Sequence, residues 1–127
     1  MSQPPISEQV TFLYTSDLAA TSRFWSELVG LEMVLDQGSC HIFRTGPASY
    51  VGCCERADRP RSPVGLTFTL VSPDVDGWYA TLVARGVEFV APPSYSEDFK
   101  VYACLFHDPN GYRIEIQEFR DPSWPGS

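Results

Sequence analysis

The clearest candidate for chemistry is a carboxylate in the middle of a strand, Glu115. The run Asp108-Pro109-Asn110-Gly111 favours a tight turn, because proline presets one backbone angle and Asn-Gly tolerates a positive φ. Strict alternation after this turn places apolar side chains on one face of a strand and polar side chains on the other. The polar face carries Arg113, Glu115 and Gln117. Since one face of a strand must be buried, we expect the polar face to be wet or to line a site.

Glu55 is a second carboxylate that could work with Glu115 in acid–base chemistry. The two histidines, His41 and His107, show no spacing that suggests a nucleophile and its base. No Gly-rich phosphate loop follows a strand. Paired carboxylates are therefore the catalytic arrangement that the residue types leave open.

The composition is that of an acidic globular protein. The chain has 127 residues, of which 43% are hydrophobic, and a net charge of −7, which suits one domain with a core. This charge argues against nucleic acid and anionic membranes as partners. The N-terminal run lacks a basic segment followed by an apolar one, so we expect a cytoplasmic location. In that compartment we expect reduced thiols at Cys40, Cys53, Cys54 and Cys104.

The elements that must position Glu115 are repeated along the chain. Gly30-Leu31-Glu32-Met33-Val34 corresponds to Gly86-Val87-Glu88-Phe89-Val90, and Thr11-Phe12 precedes Thr67-Phe68 by the same offset. Each half reads as a strand, a helix and three further strands. Such an internal repeat predicts two copies of one supersecondary unit.

Helix boundaries agree with this repeat. Asp17 and Asp74 are expected to cap the two helices, and Gly30 and Gly86 to end them. After the second helix, a proline-rich loop over residues 91–98 is expected to lead into the closing hairpin.

The run from Asp108 to Ile116 resembles the last hairpin of the vicinal oxygen chelate superfamily. That group includes glyoxalase I, fosfomycin- and bleomycin-resistance proteins, and extradiol dioxygenases. The resemblance covers roughly residues 8–121 and implies an α+β fold of two βαβββ modules that form a paired-sheet cup. Within a single glyoxalase-like domain, 1–127, module one would span about 8–58 and module two about 64–121.

In metal-using relatives, four residues line the cup, one from the first and one from the last strand of each module. Carried onto this chain, the four positions fall on Val10, on Cys53 or Glu55, on Thr67 or Leu66, and on Glu115. Only Glu115 matches outright, and the expected histidines are absent. No cofactor is therefore expected; if one divalent metal binds, Glu115 and Glu55 would be its ligands.

The expected ligand-binding face of the cup combines aromatic and small polar side chains. It comprises Phe12, Tyr14, Cys53, Glu55, Thr67, Thr69, Tyr102, Cys104, Arg113, Glu115 and Gln117, with Phe106 beside them. A concave apolar surface with a few convergent polar groups suits a small molecule. The alternative is that these side chains simply fill the cup as core.

The resemblance implies a bleomycin-resistance-like protein that binds a small hydrophobic or aromatic compound without metal. The alternative is a metal-dependent lyase, isomerase or dioxygenase that uses Glu115 and Glu55. Relatives commonly pair their modules across a dimer interface, so we expect a homodimer. Trp124 in the C-terminal tail and the connector Arg56 to Pro63 are its candidate contacts.

Overall fold

Each half of the sequence repeat forms a four-stranded sheet with one helical segment. The computed structural model describes residues 3–58 and 63–126, and these two ranges belong to separate compact units. The first unit contains β1 (Gln9–Thr15), α1 (Leu18–Arg23), β2 (Met33–Asp36), β3 (Cys40–Gly46) and β4 (Ser49–Glu55). The second contains β5 (Thr67–Val71), α2 (Val75–Ala84), β6 (Phe89–Ser96), β7 (Val101–His107) and β8 (Arg113–Phe119).

The two sheets have the same topology. The strand order is β1-β4-β3-β2 in the first unit and β5-β8-β7-β6 in the second. In each sheet the first and last strands of the unit pair in parallel at one side, and the remaining pairs are antiparallel. The predicted α+β fold of two βαβββ modules is confirmed.

The helix of the first unit begins at its predicted cap. The Asp17 carboxylate accepts a hydrogen bond from the Ala20 amide at 3.1 Å, which satisfies one of the first unpaired amides of the helix. The helix continues through one π-helical turn, Phe24–Leu28. The chain then leaves the helix at Gly30, whose φ of 85° suits glycine.

The helix of the second unit is capped in the same way. Asp74 accepts a hydrogen bond from the Gly77 amide at 2.9 Å. A Cβ atom at Gly77 would overlap the Asp74 carboxylate, so glycine leaves room for the cap. Val75 and Leu82 face the sheet and are buried.

Each helix covers one face of its own sheet, which we call the helix face. In the first unit this face carries Leu13, Phe43, Val51 and Cys53, all at most 1% exposed. In the second unit it carries Phe68, Phe106, Ile114 and Ile116, and Tyr79 of α2 packs edge-on against Phe89. The opposite face of each sheet, which we call the open face, is not covered by the helix of its unit.

The register of the repeat differs from the sequence match in the first strands. Phe12 lies on the open face and is 45% exposed, whereas Phe68 lies on the helix face and is 9% exposed. Phe12 instead corresponds to Thr69, because the residue gained before the second helix already shifts β5. The matching Thr-Phe pairs are therefore not structurally equivalent.

Two further expectations are corrected. The segment predicted as a loop over 91–98 is strand as far as Ser96. Pro92 and Pro93 fit there because β6 is an edge strand with register shifts between Phe89 and Ser94. The cysteines are not all reduced, because Cys40 and Cys54 form a disulfide.

Among the described residues, no helix is long and apolar enough to cross a membrane.

Candidate functional site

The open face of the second sheet forms a cavity of about 570 Å³. Its floor comes from β6, β7 and β8, and Phe99 from the β6–β7 connection stands at its edge. The lining residues are Ala91, Ser94, Ser96, Phe99, Val101, Ala103, Cys104, Leu105, Arg113, Glu115, Gln117 and Phe119. This volume is within the range of pockets that hold small molecules.

The strand register arranges the floor in rows. Glu115 lies between Thr69 of β5 and Leu105 of β7. In the next row, Gln117 is opposite Ala103. Ala103 is in turn opposite Ser94 of β6, so the smallest side chain of the row occupies the middle of the floor. The cavity thus has an apolar centre with polar groups on both sides.

The end of the cavity is aromatic. Phe119 stacks on Trp124, with ring centroids 3.6 Å apart and planes at 8°. Phe99 is 75% exposed. The Arg120 amide donates to the Lys100 carbonyl at 2.8 Å, which fastens the β6–β7 connection to the end of β8. A planar ligand could therefore contact aromatic rings at this end.

The charged groups of the cavity are paired with each other. Arg113 Nη2 lies 3.0 Å from Glu115 Oε1. The Arg113 side chain is 49% exposed and that of Glu115 is 21% exposed, so water screens the pair and its contribution to stability is small. The opposite charges also leave the cavity without a strong net charge.

Five of the residues predicted for the site share this open face. They are Thr67, Thr69, Arg113, Glu115 and Gln117. Phe12 and Tyr14 lie on the open face of the first sheet, where they are 45% and 38% exposed. The structure therefore brings the predicted β5 and β8 residues together and places the two aromatic residues on the other unit's sheet.

The face assignment of Cys53 is corrected. Cys53 pairs with Leu13 and with His41, and His41 Nδ1 is 2.9 Å from Ser22 Oγ of α1. Cys53 therefore lies on the helix face and is fully buried. Glu55 has the same alternation as Cys53 at the end of β4, where it is exposed, so it does not share the open face either.

Tyr102, Cys104 and Phe106 are corrected in the same way. The Tyr102 hydroxyl donates to Asp76 of α2 at 2.6 Å, which raises the Tyr102 pKa. Cys104 borders the cavity floor, but it pairs with Ile116 and is 1% exposed. Burial raises its thiol pKa to about 11.

Sequence reasoning missed the residues of β7 that do face the cavity, which are Val101, Ala103 and Leu105. The hairpin turn carried the signal that could have found them. The Asp108 carboxylate accepts hydrogen bonds from the Asn110 and Tyr112 amides, both at 2.9 Å. This turn pairs Phe106 with Ile114, so a core isoleucine in β8 fixes the phase of β7.

The residues present do not fit the metal centre of metal-using relatives. Gly52 of β4 corresponds to Glu115, because Gly52 pairs with Phe12 as Glu115 pairs with Thr69. A Cβ atom at Gly52 would overlap the Phe12 ring, so a ring lies where a second carboxylate would be needed. Within 3–58 and 63–126, no three His, Cys, Asp or Glu residues cluster to hold a metal ion.

Comparisons with known proteins agree on the fold. A family model described as the Glyoxalase/Bleomycin resistance protein/Dioxygenase superfamily matches residues 8–116. The chain belongs to this superfamily. No curated protein sequence matches the chain.

Several solved structures share the fold over nearly their whole length. A glyoxalase/bleomycin resistance protein/dioxygenase from Nocardioides has 23% identity and a TM-score of 0.75, with 100% of this chain and 91% of that one covered. A lactoylglutathione lyase from Agrobacterium tumefaciens has 25% identity and a TM-score of 0.74, with 95% and 99% covered. TioX from Micromonospora sp. ML1 has 18% identity and a TM-score of 0.75, with 89% and 98% covered.

Proposed function

We propose that this chain is a glyoxalase/bleomycin-resistance-like protein that binds a small hydrophobic or aromatic compound without metal. The observation that carries the proposal is the cavity on the open face of the second sheet, about 570 Å³ in volume. It combines an apolar floor, an aromatic end and a few polar groups, which is the usual make-up of a small-molecule site.

The lining favours an uncharged or weakly polar ligand. Ala103 and Leu105 offer a flat apolar surface, and Phe119 offers a ring already held by stacking. Gln117 supplies an amide that can both donate and accept hydrogen bonds. Because Arg113 is paired with Glu115 at 3.0 Å, a strongly charged ligand would have to compete with this pair.

Binding without metal is part of the proposal. Its support is the donor set: Glu115 is engaged by Arg113, and the corresponding residue of the first unit is glycine. Val10 and Thr67 occupy the positions where relatives often carry histidine. An apolar side chain cannot ligate a divalent ion, and a neutral hydroxyl is a weak ligand.

A fluorescence titration with N-phenyl-1-naphthylamine, an uncharged aromatic probe, tests the proposal. Ala103→Leu should weaken binding at least about tenfold, because the larger side chain fills the middle of the floor. Ala80→Leu adds the same atoms at an exposed position of α2, so it serves as the matched control. Equal affinities for both variants, or no binding by the unaltered protein, would contradict the proposal.

A metal-dependent lyase, isomerase or dioxygenase is the second candidate. The observation in its favour is that a carboxylate, Glu115, faces the cavity, and one structural neighbour carries the name lactoylglutathione lyase. In that case Glu115 would be a ligand, whereas Glu55 would not, because it does not share the open face. A stoichiometric divalent metal in the purified protein, lost in Glu115→Ala, would favour this candidate.

We further propose a cytoplasmic homodimer with no nucleic acid or membrane partner. Its support is the acidic composition, with a net charge of −7, and the common pairing of modules in related proteins. Among the candidate contacts, Trp124 is stacked on Phe119 and still 38% exposed. The connector 56–63 lies partly outside the described residues.

A further inference from the structure

The open face of the first sheet carries a cross-strand disulfide. Cys40 at the start of β3 pairs with Cys54 near the end of β4, and their Cα atoms are 4.1 Å apart. Both residues are half-buried. We propose that Cys40 and Cys54 form a reversible thiol–disulfide site that low-molecular-weight thiols open and their disulfides close, without unfolding of the protein.

The two cysteines are held together by the backbone on both sides of the pair. The Glu55 amide donates to the Ser39 carbonyl at 2.8 Å, and on the other side His41 pairs with Cys53. Cys40 and Cys54 thus form the non-hydrogen-bonded pair between these two links, and a pair of this kind has its side chains close together. The thiols therefore remain neighbours after reduction, and closure costs little chain entropy.

The turn beside Cys40 is also fastened without the disulfide. The Gln37 amide donates to the Cys40 carbonyl at 2.8 Å. On the helix face, His41 Nε2 lies 3.2 Å from Asp36 Oδ1, and His41 Nδ1 lies 2.9 Å from Ser22 Oγ. Opening the sulfur–sulfur bond thus removes one link among several, so the reduced unit should stay folded.

The other two cysteines do not compete for exchange. Cys53 follows β4 onto the opposite face and is fully buried, and Cys104 is 1% exposed. Burial also raises the pKa of Cys104 to about 11, which suppresses its reactive thiolate near neutral pH. Only the Cys40–Cys54 pair combines proximity with solvent access.

The exchange balances in two steps. A thiolate RS⁻ attacks one sulfur of the pair, forms a mixed disulfide and releases the other cysteine as a thiolate. A second thiolate attacks the mixed disulfide, releases RSSR and leaves two reduced cysteines once both have taken up protons. Closure runs in reverse, with RSSR as the oxidant. Disulfides in reducing compartments are usually of this exchangeable kind.

The test is thiol counting by mass spectrometry after rapid maleimide labelling of the folded protein in graded glutathione buffers. We expect no label in oxidised glutathione and two labels, on Cys40 and Cys54, in reduced glutathione, with the same midpoint from both directions. Circular dichroism should show the same fold throughout. Cys53→Ser should keep the two-label transition, whereas Cys40→Ser should lose it, because the remaining Cys54 can form only a mixed disulfide with glutathione.

Three results would overturn the inference. One is labelling of Cys40 and Cys54 in oxidised glutathione, which would mean that the pair does not close. Another is labelling that needs denaturant, which would mean a locked structural disulfide. The third is loss of the folded spectrum on reduction. Because the readout involves no ligand of the second unit, this test succeeds or fails independently of the proposed function.

Discussion

Glu115 has its backbone between β5 and β7 and its carboxylate on the open face beside Arg113. Its strand neighbours Ile114 and Ile116 point the other way and are at most 1% exposed. One strand therefore supplies core side chains and cavity side chains in alternation. Substitutions at adjacent positions should separate stability from binding.

Glu115→Gln keeps the shape of the side chain and removes its charge. We expect the free energy of unfolding to change by less than about 1 kcal/mol, because the ion pair with Arg113 is exposed to water. The affinity for cationic or polar aromatic compounds should change. Urea unfolding measures the first effect and ligand titration the second. A loss of several kcal/mol would instead identify Glu115 as a buried structural partner.

The buried thiol of Cys104 should make the free energy of unfolding depend on pH. Its pKa is raised to about 11 in the folded protein, above about 8.5 for an exposed thiol. The folded state then holds the proton more tightly, so the resulting stability is present at neutral pH and is lost as the pH rises towards 11.

The measurement is urea unfolding between pH 8 and pH 11 for the unaltered protein and for Cys104→Ala. All other titratable groups are the same in both proteins, so the difference between the two curves isolates the thiol. We expect the loss of stability with pH to be less steep in Cys104→Ala. Parallel curves would show that the burial of this thiol has no energetic consequence.

Among the elements, β8 holds the second sheet together, because it pairs with β5 on one side and with β7 on the other. Ile114→Ala should cost about 2–5 kcal/mol in the free energy of unfolding, the usual range for emptying a buried isoleucine site. Val71→Ala is the control, since Val71 is 59% exposed at the edge strand β5. Similar costs for both variants in urea unfolding would argue against a core on the helix face.

The elements could be predicted because their signals are local. Asp17 and Asp74 cap the helices, glycines end them, and alternation identifies β8. The phase of β7 could not be predicted from alternation alone, because both of its faces are largely apolar. Tyr102, Cys104 and Phe106 look like site residues in sequence, yet the register of the hairpin places them on the helix face. Of the three, Cys104 still borders the cavity floor.

The disulfide and the extended β6 were missed for a different reason. Cys40 and Cys54 become neighbours only through the pairing of β3 with β4, which sequence spacing does not reveal. Pro92 and Pro93 indicate a loop by composition, but an edge strand can omit their hydrogen bonds. Both features depend on non-local strand pairing.

At the scale of the whole molecule, the homodimer remains our prediction. Sedimentation at micromolar concentration should give twice the chain mass of 14.2 kDa. Trp124→Ala should weaken association if the exposed part of this ring is a contact, and Val90→Ala, at another exposed apolar position, is the control. A single species of chain mass would contradict the homodimer.

Metal-free binding in the cavity is tested by titrating the aromatic probe N-phenyl-1-naphthylamine into protein treated with a strong chelator. Divalent metal is then added back and the titration is repeated. A metal-free site predicts the same affinity before chelation, after it and after metal readdition, with binding at least about tenfold weaker in Ala103→Leu and unchanged in Ala80→Leu. Binding that disappears with the chelator and returns with metal would contradict a metal-free site in the cavity of the second sheet.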